Sequence, residues 1–183
     1  MTEFDSSMSE QDFRSLVYFT SFSKHAWVPG MLVIGMAFSL TVIFTYLLHV
    51  WVPSKHCVFS AFSYALIVIF LFVSTEIKVA RAISERSVPI DIPYHITANS
   101  CSMTCTILES GRQKNYPWET IGQIYETHEH FIIYLSSRNA FIFNKKCIDP
   151  KRVQEFHQIL KSQNASKYHD LRGKKFLLCK EKD

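Results

Sequence analysis

His128 and His130 stand two residues apart, the spacing at which two imidazoles on one strand share a face and approach the same metal ion. A metal site needs further ligands and a supporting shell, and nothing nearby supplies them clearly. The pair is more simply read as part of a polar hairpin turn. Cys101 and Cys105 also share strand parity, but three residues separate them, and the paired C-x-x-C zinc spacing is missing. They read as small buried hydrophobes. The chain has no glycine-rich phosphate loop, no H-E-x-x-H helix and no G-x-S-x-G elbow. Its carboxylates are dispersed, so no general acid and base stand out. The expectation is a non-enzymatic protein without a cofactor. A metal- or redox-sensing module built on the histidines and cysteines is an alternative.

The basic residues are the other chemical signal. Residues 76–183 hold 17 Lys/Arg against 12 Asp/Glu. Lys145, Lys146, Lys151 and Arg152 cluster near one junction, and Arg172, Lys174 and Lys175 follow in a basic tail, residues 164–183, with Phe176, Leu177 and Leu178 interleaved. Near a bilayer, each such group contributes about 1 kcal/mol of attraction to anionic headgroups. These seven residues are the candidate contacts to a partner or to lipid; a solvated tail that aids solubility is the simpler alternative. The modest basic excess, without a reading motif, argues against nucleic acid.

The elements that carry these groups follow from hydropathy. Residues 28–75 contain a single charged side chain, Lys55. The apolar stretch divides at Val52-Pro53-Ser54-Lys55-His56 into segments 28–52 and 57–75, each close to the roughly 20 residues needed to cross a hydrocarbon core about 30 Å thick. A soluble domain this small could not cover two helices that are apolar on every side. A signal peptide would have a short basic start, whereas 27 net-acidic residues precede the first run. The expectation is a transmembrane hairpin. Lys24 before it and Lys78, Arg81 and Arg86 after it place both termini in the cytoplasm. Five cysteines, an odd number in no dense framework, suit a reducing compartment.

Transporters and intramembrane catalysts carry ionisable groups at depth. Here His49 comes nearest, and beside Trp51 it reads as an interfacial imidazole. Gly35 with Ser39, and Ala61 with Ala65, give small-xxx-small spacings that permit close packing within the hairpin or in a homo-oligomer through these helices. Residues 1–27 read as an amphipathic segment whose helix opens at Ser9-Glu10-Gln11-Asp12, with Phe13, Leu16, Val17 and Phe22 as its stripe. Residues 76–88 continue the second helix until Pro89 and Pro93 break it.

Beyond Pro89, short β-favouring runs alternate with turn residues: Tyr94–Ala98, Cys101–Leu108, Lys114–Tyr116, Gly122–Thr127, Phe131–Leu135 and Ala140–Lys145. Asp149-Pro150 is a capped helix start, and Val153, Phe156, Ile159 and Leu160 form an apolar face. An antiparallel sheet closed by this helix, spanning residues 89–163, is the natural assembly.

Within that stretch, Trp118, Ile121, Ile124, Glu126 and Tyr134, with the N-terminal Met8 to Tyr18, resemble the YcxB-like family. That bacterial family is similar to pleckstrin-homology (PH) folds and usually follows two transmembrane helices. The chain departs from its pattern at Phe143-Asn144-Lys145, where a proline is absent. The resemblance implies a membrane α+β protein of the bacterial inner membrane, a two-helix hairpin followed by a small antiparallel PH-like domain closed by a C-terminal helix. It carries over no general activity. Such a domain would bind an unidentified protein or anionic lipid; an immunity protein that neutralises a membrane-inserting toxin is a second reading.

Overall fold

The computed structural model describes residues 1–23, 27–48, 54–85, 88–136 and 139–173. Lys24, His49, Arg86, Lys174, Lys175 and Cys179 lie outside these residues. The described chain forms two compact units, one from residues 1–16 and 88–173 and the other from residues 17–85.

The second unit holds two long helices. Helix α2 spans Trp27–Leu47 and α3 spans Lys55–Ser84, with Ser54 capping α3 by accepting from the Cys57 N–H at 3.3 Å. Both are long and apolar enough to cross a membrane. Their large side chains face outward: Ile34 is 72% exposed, Phe38 62%, Phe59 75% and Phe70 69%. A contiguous apolar surface of that extent marks a face that meets lipid or another protein. The seam between the helices is made of small and β-branched residues, with Ser39, Val42, Ala61 and Val68 buried.

Gly35 sits on this seam for a steric reason. A Cβ there would overlap the phenol of Tyr64, whose hydroxyl donates to the Met31 carbonyl at 3.1 Å. Gly35→Leu should displace the ring, break that hydrogen bond and lower hairpin stability by about 1–3 kcal/mol, read as a lower melting temperature in detergent. At the other end of α3, Phe22 stacks on Phe72 with ring centroids 4.9 Å apart, and the Tyr18 hydroxyl donates to Glu76.

The first unit begins before these helices. Strand β1, Thr2–Ser6, is followed by α1, Glu10–Tyr18. The Ser9 hydroxyl accepts from the Asp12 N–H at 3.1 Å while the Asp12 carboxylate accepts from the Ser9 N–H and hydroxyl, a reciprocal cap. After α3 come β2 (Tyr94–Ala98), β3 (Ser102–Ile107), β4 (Gln113–Pro117), β5 (Gln123–Glu126), β6 (His130–Tyr134) and β7 (Ala140–Asn144). These six lie within one residue, at either end, of the positions read from sequence. Helix α4, Pro150–Gln163, is capped by the Asp149 carboxylate, and β8, Tyr168–Asp170, follows it.

Two four-stranded sheets result, ordered β1-β2-β3-β4 and β7-β6-β5-β8. All pairs are antiparallel except β5 with β8. The inner faces and α4 enclose one core, with Phe4, Ile96, Met103, Trp118, Ile121, Ile124, Phe131, Phe143, Phe156 and Leu160 buried.

Two features differ from the sequence reading. Residues 1–27 carry a strand as well as a helix, and β1 pairs with β2 through five residues, Thr2 opposite Ala98 to Ser6 opposite Tyr94. Its alternation puts Phe4 inside, at 5.1 Å from Phe156 and 5.8 Å from Phe143, both edge-to-face. Residues 164–183 likewise open with folded structure, because β8 adds to the edge of β5.

Candidate functional site

Strand pairing sorts the titratable groups of the β5–β6–β7 sheet onto two faces. Phe131 lies opposite Glu126 and Phe143, so Glu126 shares the α4 face; His130 pairs with Asn144 on the reverse face. Each face holds one buried carboxylate and its donors.

On the α4 face, Glu126 is 1% exposed. Lys145 Nζ donates to its Oε1 at 2.7 Å and also to the Thr127 carbonyl at 2.7 Å. His157 Nδ1 lies 2.7 Å from Oε2, and the Tyr168 hydroxyl donates to the same oxygen. Arg172 Nε approaches Oε1 at 3.5 Å while its guanidinium pairs with Asp170. Burial alone would raise the Glu126 pKa, but the donors Lys145, Tyr168 and His157 outweigh it and hold the carboxyl below its ordinary value. Burial and the neighbouring Glu126 charge push the Tyr168 phenol upward, so it stays a hydrogen-bond donor. Chemically this is a closed ionic cluster. General acid or base catalysis needs a proton or lone pair presented to a substrate, and here both carboxylate oxygens are engaged by protein donors.

On the reverse face, Asp12 from α1 reaches the sheet. Its Oδ1 lies 2.9 Å from His130 Nε2 and accepts from Asn144 Nδ2 at 2.9 Å, while Oδ2 takes the Ser9 hydroxyl at 2.7 Å. Burial opposes its charge, but the His130 and Ser9 hydrogen bonds outweigh burial and lower the pKa to about 2. The unfolded chain therefore takes up the proton first as pH falls. The stabilisation from Asp12, on the order of 2–3 kcal/mol, should be intact above about pH 5 and fade toward pH 2. Asp12→Asn should remove that part of the acid dependence, visible as a smaller loss of unfolding free energy over this window than in the natural chain.

These placements revise several sequence readings. Lys145, offered to a partner or lipid, is turned inward with its side chain 12% exposed, and Arg172 is held by Asp170 and Glu126. Lys146 pairs with Glu129 at 2.8 Å, Arg152 with Glu155 at 3.3 Å, and Lys151 is exposed. His130, read as a turn residue, is buried in β6, while His128 is exposed in the turn. Cys105 is buried, and burial raises its thiol pKa, whereas Cys101 is exposed ahead of β3. Among the described residues, no three His, Cys, Asp or Glu side chains come together as metal ligands.

Trp118, Ile121 and Ile124 are core residues, Tyr134 is buried on the reverse face, and Glu126 is the hub of the ionic cluster. Trp118 Nε1 also donates to the Asn99 carbonyl at 2.9 Å, tying the turn after β4 to the β2–β3 turn. The pairing of Asp12 with His130 had no sequence signal, because 118 positions separate the two.

Compared with known families, residues 106–160 match the family model described as YcxB-like protein. The match runs from the end of β3 into α4, with the two apolar helices before it, and covers less than half of the chain. Neither a curated protein nor a solved structure matches the chain.

Proposed function

We propose, from a chain that carries a YcxB-like segment behind two apolar helices, a two-pass membrane protein that displays a PH-like binding module. One observation carries the reading. Strand β1 precedes both apolar helices, β2 follows them, and the two strands are hydrogen-bonded neighbours. Pairing requires both strands in one compartment, so the chain between them crosses a bilayer an even number of times. A hairpin of α2 and α3 meets that condition. Lys78 and Arg81 at the end of α3 favour the cytoplasmic side of a bacterial inner membrane for that compartment.

The module is non-enzymatic on this reading. Its buried carboxylates hold the fold together, and two sheets closed by a C-terminal helix suit a PH-like scaffold whose surface binds anionic lipid or protein. Lys146 and Lys151 are exposed on the short path from β7 into α4. Vesicles containing phosphatidylserine should retain the detergent-purified chain better than neutral vesicles, and the retention should weaken with added salt. Lys146→Glu with Lys151→Glu should lower that affinity by at least about tenfold, taking about 1 kcal/mol per basic residue near the surface. Equal retention by neutral and anionic vesicles would leave protein as the partner. Extraction by alkaline carbonate without detergent, or cleavage of the C-terminal portion by protease outside sealed cells, would overturn the membrane placement.

A further inference from the structure

We propose that the seam between α2 and α3 holds a binding site for a small uncharged amphiphile of the phenol class, one ring carrying one hydroxyl. Beside the first turns of α3 the two helices leave a cavity of about 210 Å³. An apolar cavity of about 150 Å³ takes up benzene, so this one suits a single ring with a short substituent. Phe38, Ala61 and the Tyr64 ring form its apolar walls, and no lining side chain is charged. A charged ligand would therefore be desolvated there without compensation. Phe38 and Ser60 are exposed, so the cavity opens on the outer surface of the hairpin, where a molecule dissolved in lipid or detergent can reach it.

Two hydroxyls decide the polar half of the ligand. Ser39 on α2 and Ser60 on α3 both line the cavity. A hydroxyl in such a helix ordinarily returns to a carbonyl one turn back. Thr41 donates to the Ala37 carbonyl at 2.9 Å, Thr45 to that of Thr41 at 3.0 Å and Thr75 to that of Leu71 at 2.8 Å. The Ser39 and Ser60 hydroxyls make no such bond to any described residue, although Ser39 is only 2% exposed. The Tyr64 hydroxyl is already committed to the Met31 carbonyl, so that residue serves as a wall. A ligand hydroxyl, which both donates and accepts, supplies the missing partner that an apolar setting makes costly to lack.

Cys57 lines the same cavity, half-buried, and reports its occupancy. The detergent-purified full chain is treated with N-ethylmaleimide over a titration of para-propylphenol, and modification is followed at each cysteine by peptide mass spectrometry. Binding slows the reaction of Cys57 several-fold and saturably, while the exposed Cys101 and Cys147 react as before. Propylbenzene, which lacks the oxygen, should protect about two- to tenfold more weakly, the worth of one hydrogen bond, and Ser39→Ala should weaken phenol protection by a similar factor. Ser60→Leu sets a larger side chain at the mouth and should abolish protection without lowering the melting temperature. Absence of saturable protection, equal protection by phenol and propylbenzene, or protection that persists in folded Ser60→Leu overturns the proposal. So does slow Cys57 labelling that ignores the phenol and speeds up on dilution of the chain, because a second copy would then cover the opening. The propylbenzene comparison needs no variant, so it stands whatever the substitutions do to folding. The site lies within the second unit and is read in detergent, so the result depends neither on the membrane placement nor on what the first unit binds.

Discussion

Glu126→Ala should destabilise the compact β unit by about 3–5 kcal/mol, the range for breaking a buried ion pair by removing one partner. The size follows from what is left behind. Lys145 loses the carboxylate at 2.7 Å and keeps the Thr127 carbonyl, with its side chain 12% exposed. His157 and Tyr168 lose their shared acceptor, and Arg172 loses its link to the sheet. Chemical denaturation in detergent, followed by the fluorescence of buried Trp118, measures the loss. A second outcome separates the charge from the packing. Glu126→Leu with Lys145→Met removes both charges and should recover much of the deficit, because a well-packed apolar pair replaces a buried ion pair at little net cost. A double variant as unstable as Glu126→Ala would mean that Tyr168, His157 and Arg172 carry the effect instead of Lys145.

Phe4→Ala is expected to cost about 3 kcal/mol or more, comparable with emptying a core phenylalanine site elsewhere. Phe4 is 8% exposed and makes edge-to-face contacts with Phe143 and Phe156, so its removal leaves a cavity between β1, β7 and α4. The same measurement applies, and Phe4→Leu should recover part of the loss because it refills much of the volume. A change below about 0.5 kcal/mol, the size of an ordinary surface substitution, would show that β1 is not seated in the sheet.

The six strands after Pro89 and the α4 boundary were legible because their signals are local. Apolar alternation, turn residues between runs, and an Asp-Pro start each act within a few positions. The two apolar helices were legible from length and composition. β1 was not, because Thr-Glu-Phe-Asp-Ser offers a single large apolar residue, and its inward neighbours are the small hydroxyls of Thr2 and Ser6. β8 is three residues, Tyr-His-Asp, too short and polar to rise above a basic tail. The charge clusters were hidden for a different reason. Lys145 and Arg152 look alike in sequence, and only the fold decides that one meets Glu126 inside while the other meets Glu155 at the surface. Asp12 was visible as a helix-start residue, but its bonds to His130 and Asn144 join positions that only the folded sheet brings together.

The position of β1 ahead of the helices also bears on biogenesis. The ribosome releases this strand long before its neighbour β2 exists, so the first sheet stays incomplete until both apolar helices between them have been made. On the proposed two-pass topology, a polypeptide that threaded the bilayer only once would leave the two halves of that sheet on opposite sides, with the slot for Phe4 vacant and an edge unzipped. Such a product never reaches a sealed fold and is open to proteases. On that topology, completion of the sheet therefore requires both helices to have crossed.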